Sequence, residues 1–453
     1  MGAGEVLASR YRGYEYYVQF KSMRAWVKGV ELEYRGARAK AAPAPARAKS
    51  LPVGYQPSAL IRRGRRPDPV PEIREATHAD RQVLEAFRLG IVPGAHVDDW
   101  TFGRDDELAH LHHWLDDEAD GSMLIEGAYG SGKSHLLMSL KHRAAARNYV
   151  VSYSHLESGE ESAAFPKRLY RQIARGLHAP GIGGLNHILM ASVEKHGGNP
   201  MPDHPILGPV LELIAKGKIR SRDWAAISGE GPPTAATGYL PDFTTCANVY
   251  CNLLSGLAWL SKEILGFNGL ALLVDEVETA SACLYRFHWQ RAQSFFRGLT
   301  MTANDEPDLL DEPVEKGRST YVGTRTNLIY AGHRRIPYLY DVPCGLKVVL
   351  ATTPGPIRGL YGEWRNEQTV IEIEPVRPRA LRLLAERINV TYQSLHGVGF
   401  EPVTVTALCG KLMERFGSTA TRIFIKAWLE CLDFRRFHPD TRLKELLEGQ
   451  RGW

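Results

Sequence analysis

Short, unbroken apolar runs recur along this chain, separated by longer stretches in which apolar residues return every three or four positions. Ser122–Glu126, Tyr149–Ser154, Leu346–Thr352 and Thr369–Ile373 are such runs, and a fifth is Gly269-Leu-Ala-Leu-Leu-Val274. Runs of this length without alternation mark strands covered on both faces, as in a parallel sheet. Helical spacing fills the stretches Phe165–Leu177, Asn248–Leu265, Pro378–Asn389 and Val403–Phe416. Another helix is announced by Thr77-His-Ala-Asp80, a capping-box pattern, followed by Val83, Phe87 and a closing Gly90. Strands alternating with helices predict an α/β fold: a parallel sheet with flanking helices, followed by a helical C-terminal region.

The pattern breaks in four places. Residues 180–245 are interrupted by Gly/Pro clusters and hold helical pieces around Ile206–Ala215, which reads as an insertion containing an extended loop. A second surface insertion is expected at 302–345, which opens acidic and proline-containing. Residues 14–34 alternate loosely (Tyr14, Tyr16, Val18, Phe20, then Val30, Leu32, Tyr34) and predict two short strands. From Arg35 to Arg66 there are nine basic residues, no acidic one, and prolines at 43, 45, 52 and 57. Such a run buries too little apolar surface to fold alone and reads as a basic linker.

Chemistry concentrates in one stretch. The strand Ser122–Glu126 runs into Gly127-Ala128-Tyr129-Gly130-Ser131-Gly132-Lys133-Ser134, and the helix-forming run His135–Ala146 follows at once. Strand, glycine loop and helix in this order turn a G-x-x-x-x-G-K-[ST] match into a P-loop. Glycines let successive backbone N–H groups turn inward around phosphate oxygens, and the helix points its positive end at them. The cradle is expected from Gly127 to His135. Lys133 would reach the β- and γ-phosphates of ATP, and the Ser134 hydroxyl would take a position on Mg²⁺. A chance lysine in a glycine-rich turn is the bland alternative. It loses weight because the strand ending at Val274 is followed by Asp275-Glu276, a Walker B pair in which Asp275 would hold Mg²⁺ and Glu276 would take the proton of the attacking water. The strand ending in Thr352-Thr353 offers a hydroxyl to the γ-phosphate.

Composition adds constraints. The 453 residues, 44% hydrophobic, leave room for two or three domains. These are expected as a possible small β element (1–34), the basic Pro/Ala-rich linker (35–75), a P-loop ATPase domain with two insertions (76–376), a helical lid (377–435) and a tail (436–453). No apolar run approaches the roughly 18–20 residues a membrane span needs, and the first residues lack the apolar core of a secretory signal. Six cysteines without C-x-x-C pairing fit free thiols in a reducing cytoplasm. The triplet His110, His112, His113 has no carboxylate or cysteine spaced to complete a metal site and reads as helix surface. Net charge is +5, and the excess cations sit in the N-terminal arm. That arm reads equally as a phosphate-binding segment for DNA or as a solvated tether.

Phe102-Gly-Arg104…Glu107-Leu108, Asp275-Glu276, the polar strand end at 352–353 and Glu374-Pro375-Val376 resemble the AAA+ ATPases of the origin-recognition type. More narrowly, Glu126-Gly-Ala-Tyr129-Gly-Ser-Gly-Lys133, Gly269–Glu278 and Thr421-Arg422-Ile-Phe424 are similar to the BREX phage-defence ATP-binding proteins, over roughly residues 76–432. The resemblance implies that Arg422 is the lid arginine (sensor 2), Thr352 or Thr353 the sensor 1 residue, and Arg365 an arginine finger acting in trans. Threonine replaces the asparagine many AAA+ proteins carry at sensor 1. Fewer than 25 residues follow the lid helix, so any DNA contact is expected from the arm or insertions. The implied function is ATP hydrolysis within a prokaryotic defence or DNA-transaction complex, with self-association or other complex subunits as partners. The alternative is a nucleotide-gated scaffold with negligible turnover. A metabolite kinase using the same loop is weaker, since no base for a substrate hydroxyl stands out.

Overall fold

The computed structural model describes residues 77–156, 164–235, 240–282, 286–317, 320–332, 336–354, 365, 367–417 and 421–440, and the backbone of three N-terminal strands. Those strands, β1 (Glu5–Arg10), β2 (Glu15–Gln19) and β3 (Arg24–Lys28), form an antiparallel sheet in sequence order; β2 falls on the first predicted run, and the second, residues 30–34, lies outside the described residues. They belong to a unit spanning Met1–Arg65, separate from the unit spanning Arg66–Trp453. The arm at 35–66 lies outside the described residues.

The second unit opens with α1 (His78–Leu89) and α2 (Asp105–Asp116). Thr77 Oγ1 accepts from the Asp80 N–H at 3.2 Å, and Asp80 Oδ2 accepts from the Thr77 N–H at 2.9 Å, closing the capping box. Next come β4 (Ser122–Glu126), α3 (Lys133–Ala146), β5 (Val150–His155) and α4 (Pro166–Gly176). Residues 180–245, where helical pieces were expected around Ile206–Ala215, contain three helices: α5 (Leu185–His196), α6 (Leu207–Ala215) and α7 (Ser221–Ile227). The glycines there bound helices. Gly197, at φ 77°, caps α5 in the left-handed region that glycine adopts without a Cβ penalty. The apolar run from 248 forms α8 (Ala247–Trp259) and then a π-helical turn, Leu260–Ile264.

Strand β6 (Leu270–Asp275) precedes α9 (Arg286–Ala303), α10 (Asp308–Asp311) and a small antiparallel sheet of β7 (Val314–Lys316), β8 (Tyr321–Gly323) and β9 (Ile329–Tyr330). This second insertion is anchored by buried Glu312, whose Oε2 accepts from Thr326 Oγ1 at 2.7 Å and from the Tyr330 hydroxyl at 2.8 Å. The chain continues through β10 (Leu346–Thr352), β11 (Thr369–Glu372), α12 (Pro378–His396), α13 (Pro402–Phe416) and α14 (Thr421–Phe437).

The main sheet is parallel, in the order β11-β4-β10-β6-β5. From β4 the chain crosses to β5 at one edge, and from β10 it crosses to β11 at the other. Connections diverging in this way open a crevice beyond the carboxyl ends of β4 and β10, where parallel sheets bind ligands. Every residue of β4, β6 and β10 is buried, which is why these strands read as unbroken apolar runs. One sheet face packs against α2 and α3, through Leu111, Leu115, Leu136 and Leu140. The other packs against α4 to α9, through residues such as Tyr170, Tyr250 and Phe295.

A third core joins α12, α13 and α14 around Leu384, Tyr392, Phe424 and Trp428. Helix α1 contributes Val83, Leu84 and Phe87 to this lid core, although the sequence groups it with the sheet domain. The Arg88 guanidinium pins it to Asp433 on α14, with Nη2 to Oδ1 at 2.7 Å. An amphipathic stripe specifies that a helix is buried on one side, but not on which partner.

Candidate functional site

The carboxyl ends of β4, β10 and β6 carry Glu126, Thr352–Thr353 and Asp275–Glu276. Between β4 and α3 the chain turns through Gly130 (φ 78°) and Gly132 (φ 108°), left-handed positions that a residue with a Cβ would strain. Gly127 is needed for space, since a Cβ there would lie 2.6 Å from Ser131 Oγ and 3.0 Å from Ile373 Cβ. Helix α3 begins at Lys133, so its first N–H groups face the mouth of the loop.

Lys133 is buried, with 7% of its surface exposed. Its ammonium donates to the Gly127 carbonyl at 2.8 Å, the Ala128 carbonyl at 3.3 Å and Thr353 Oγ1 at 2.9 Å. Burial lowers its pKa, and the carboxylates of Glu278, Asp275 and Glu276 work against that loss of charge. The two candidate sensor threonines separate cleanly. Thr352 is fully buried inside the sheet, while the Thr353 hydroxyl meets Lys133 and donates to Glu278 Oε1 at 2.6 Å.

Asp275 is fully buried, accepting from the Glu276 N–H at 2.9 Å and from the Tyr153 hydroxyl at 3.1 Å. Burial and this carboxylate together push the Tyr153 pKa up, so the phenol keeps its proton. Glu276 holds a left-handed backbone, φ 56°, without being glycine or asparagine. Such backbone costs about 1–3 kcal/mol and clusters at functional sites. Its Oε2 lies 3.7 Å from His155 Nε2.

Seen from the loop, the lid side of the cleft carries Arg422, which donates to the Tyr129 hydroxyl at 2.9 Å and stacks 5.1 Å from the ring centroid. His135 lies 2.7 Å from Thr101 Oγ1, whose own proton goes to the Val97 carbonyl at 2.8 Å. His135 Nε2 is therefore the donor. Burial, aided by the charge of Arg104, lowers the His135 pKa to about 4, so the ring is neutral at pH 7. Arg365 sits apart from the phosphate cradle: its Nε and Nη2 both reach Glu126, at 2.9 and 2.6 Å, and Nη2 also reaches Glu372 at 2.7 Å. The hydrogen bonds it donates to Glu126 hold its pKa up. The helical segment expected just ahead of it, after Pro356, and Ser418 lie outside the described residues.

Two residues gain partners that the sequence did not foretell. Arg104, buried, donates to the Ser131 carbonyl of the loop at 2.6 Å, to Glu107 at 2.6 Å and to the Glu374 carbonyl at 2.7 Å. It ties the loop to the segment that enters the lid, and its place in the Gly103-Arg104…Glu107 pattern was the available signal. Glu278 had none. The cleft, about 1030 Å³ of empty space counting its open mouth, is lined on one side by Lys133, Ser134, Asp275 and Glu276 and elsewhere by Phe87, Ile91, Pro93, Trp100, Leu384 and Ile425. Pockets of this size with an apolar wall and a few convergent polar groups bind small ligands.

A P-loop opening a helix at the switch point of a parallel sheet, with a helical lid over it, defines an ATP-binding P-loop domain of AAA+ architecture. Residues 76–190 match the family described as BREX system ATP-binding protein BrxC/D, the family that the motifs resemble. No curated protein matches the chain. Among solved structures, domain III of the Thermotoga maritima replication initiation protein DnaA aligns at 10% identity and TM-score 0.35, covering 80% of this chain and 95% of that one. AMPPCP-bound DnaA from Aquifex aeolicus aligns at 12% identity and TM-score 0.27, covering 77% and 75%. No helix among the described residues is long and apolar enough to cross a membrane.

Proposed function

We propose that this protein hydrolyses ATP in a prokaryotic, BREX-like defence complex, cycling between assembled and released states with its nucleotide. The observation that carries the reading is the position of Lys133, whose ammonium lies between the P-loop carbonyls and the ends of the strands bearing Thr353 and Asp275–Glu276. An ATP phosphate entering the loop would replace those contacts and meet the N–H groups of Gly130 to Ser134. Ser134 and Asp275 would hold Mg²⁺ there. Mg²⁺ characteristically uses one or two protein oxygens plus substrate phosphates, and a buried carboxylate and a serine hydroxyl lining one cleft suit it. When bound, the ion would neutralise phosphate charge. Glu276 would accept the proton of the attacking water, and Arg422 would reach the nucleotide from the lid. Cytoplasmic location and partners among other defence subunits accompany this reading.

A second reading, a nucleotide-gated scaffold, is favoured by Arg365. Its guanidinium is held by Glu126 and Glu372 of its own chain, so service as a finger in trans requires that pair to open. Fingers contribute about 10³–10⁵ in rate, so a chain without one would bind ATP and barely turn over.

One experiment tests both readings. Lys133→Ala is expected to abolish the thermal stabilisation given by ATP, a gain of about 2.7 kcal/mol at a hundredfold excess over Kd. Glu276→Gln is expected to keep that stabilisation and lose hydrolysis, since glutamine cannot take a proton at neutral pH. An unchanged ATP shift in Lys133→Ala overturns the P-loop assignment, and wild-type turnover in Glu276→Gln removes Glu276 as the base.

A further inference from the structure

The three protons of the Lys133 ammonium are all committed, two to loop carbonyls and one to Thr353 Oγ1. Thr353 can accept that proton because its own goes to Glu278 Oε1 at 2.6 Å. Lysine, threonine and glutamate thus form a directed chain running from the phosphate cradle into the turn that follows Asp275. Glu278 is one of the residues lining the cleft, and it leads the carboxylates that sustain the Lys133 charge against burial. Neither the ATP-binding reading nor the base assigned to Glu276 uses it.

We propose that Glu278, acting through Thr353, is a positioning residue that sets how this P-loop distinguishes nucleoside triphosphates from diphosphates. The inference rests on the ATP-binding reading above. A phosphate oxygen only accepts hydrogen bonds, so a hydroxyl whose proton points at Glu278 presents lone pairs to the cradle and repels a γ-phosphate. For Thr353 to donate to that phosphate, its proton must leave Glu278, and the carboxylate is then left close to the most anionic end of the ligand. A diphosphate ends one phosphoryl group short and avoids most of this cost. Glu278 therefore weakens ATP relative to ADP while holding Lys133 in place between nucleotides. Because it comes two residues after Glu276, a γ-phosphate that turns the Thr353 hydroxyl also releases the turn carrying the proposed base.

The test measures MgATP and MgADP affinities by calorimetry on the full chain and its variants. Glu278→Gln keeps an acceptor for Thr353 but removes the charge. It is expected to tighten ATP relative to ADP by on the order of tenfold, the scale by which a hydroxyl's hydrogen bond to a carboxylate outweighs one to a neutral amide oxygen. In a Thr353→Val background the same substitution should change the ATP/ADP ratio by less than threefold, because the link is already cut. An unchanged ratio in Glu278→Gln overturns the proposal, as does an equal tightening of both nucleotides. A full-sized change in the Thr353→Val background overturns transmission through Thr353. Wild-type protein that binds neither nucleotide would instead bring down the ATP-binding reading itself.

Discussion

Two arginines, both assigned to ATP chemistry by resemblance, have opposite surroundings. Arg365 lies at the β11 edge of the sheet, where two nitrogens clasp Glu126, a residue only 6% exposed, and one reaches Glu372. Arg422 lies on the lid and touches Tyr129, a residue 60% exposed. The first guanidinium is bound to the fold, and the second rests on the rim of the cleft. A charge that shields a buried carboxylate is costly to remove and costly to move. One that stacks on an exposed ring is free to turn toward a ligand at a cost of about 0.5–1 kcal/mol. The sheet edge is therefore built for permanence and the lid rim for exchange.

The largest effect that tests this contrast is Arg365→Ala. Leaving Glu126 charged and buried should cost about 3 kcal/mol of stability, read as a lowered urea midpoint. Pairing it with Glu126→Leu should recover most of the loss. If Arg365 also reaches across a subunit interface, mixing Arg365→Ala with Lys133→Ala chains will restore hydrolysis, because one interface then holds both intact groups. No restoration would leave Arg365 as a clamp alone. Arg422→Ala is expected to shift stability by less than about 1 kcal/mol while weakening ATP roughly tenfold, the worth of one charge–phosphate contact near a surface. Such a variant should not be rescued by mixing if, as proposed, the lid serves its own chain's nucleotide. Smallest is Tyr129→Phe, which keeps the stacked ring and loses one exposed hydrogen bond. A change in ATP affinity of only a few fold, about 0.5–1 kcal/mol, is expected. A loss as large as that of Arg422→Ala would show that the hydroxyl, and not the ring, holds the arginine.

The strands were legible because burial on both faces leaves a local trace: Ser122–Glu126 and Leu346–Thr352 have the bounds that the apolar runs predict. The helix capped by Thr77 and Asp80 was equally plain, since its capping chemistry is complete within four residues. The helices in 180–245 were less so, because glycines such as Gly184 and Gly197, which cap α5, resemble the glycines of a loop. The added sheet at 314–330 depends on Glu312 finding Thr326 and Tyr330, a contact with no short-range pattern.

By itself, then, the sequence determined the loop. Its glycines, lysine and serine are neighbours in the chain, and the backbone conformation they require is dictated residue by residue. It determined as well that an acidic pair would end a buried strand. Which residues meet that loop was decided only by the tertiary structure. Sheet order places β10 between β4 and β6, and this sets Thr353 against Lys133 across 220 positions of sequence. The same packing turns Thr352 into the core, seats α1 in the lid, and gives Arg365 to Glu126 across 239 positions. Local propensity reaches only a few residues along the chain. A charge or hydroxyl far away in sequence takes its partner from whichever strand the packing of the core lays beside it.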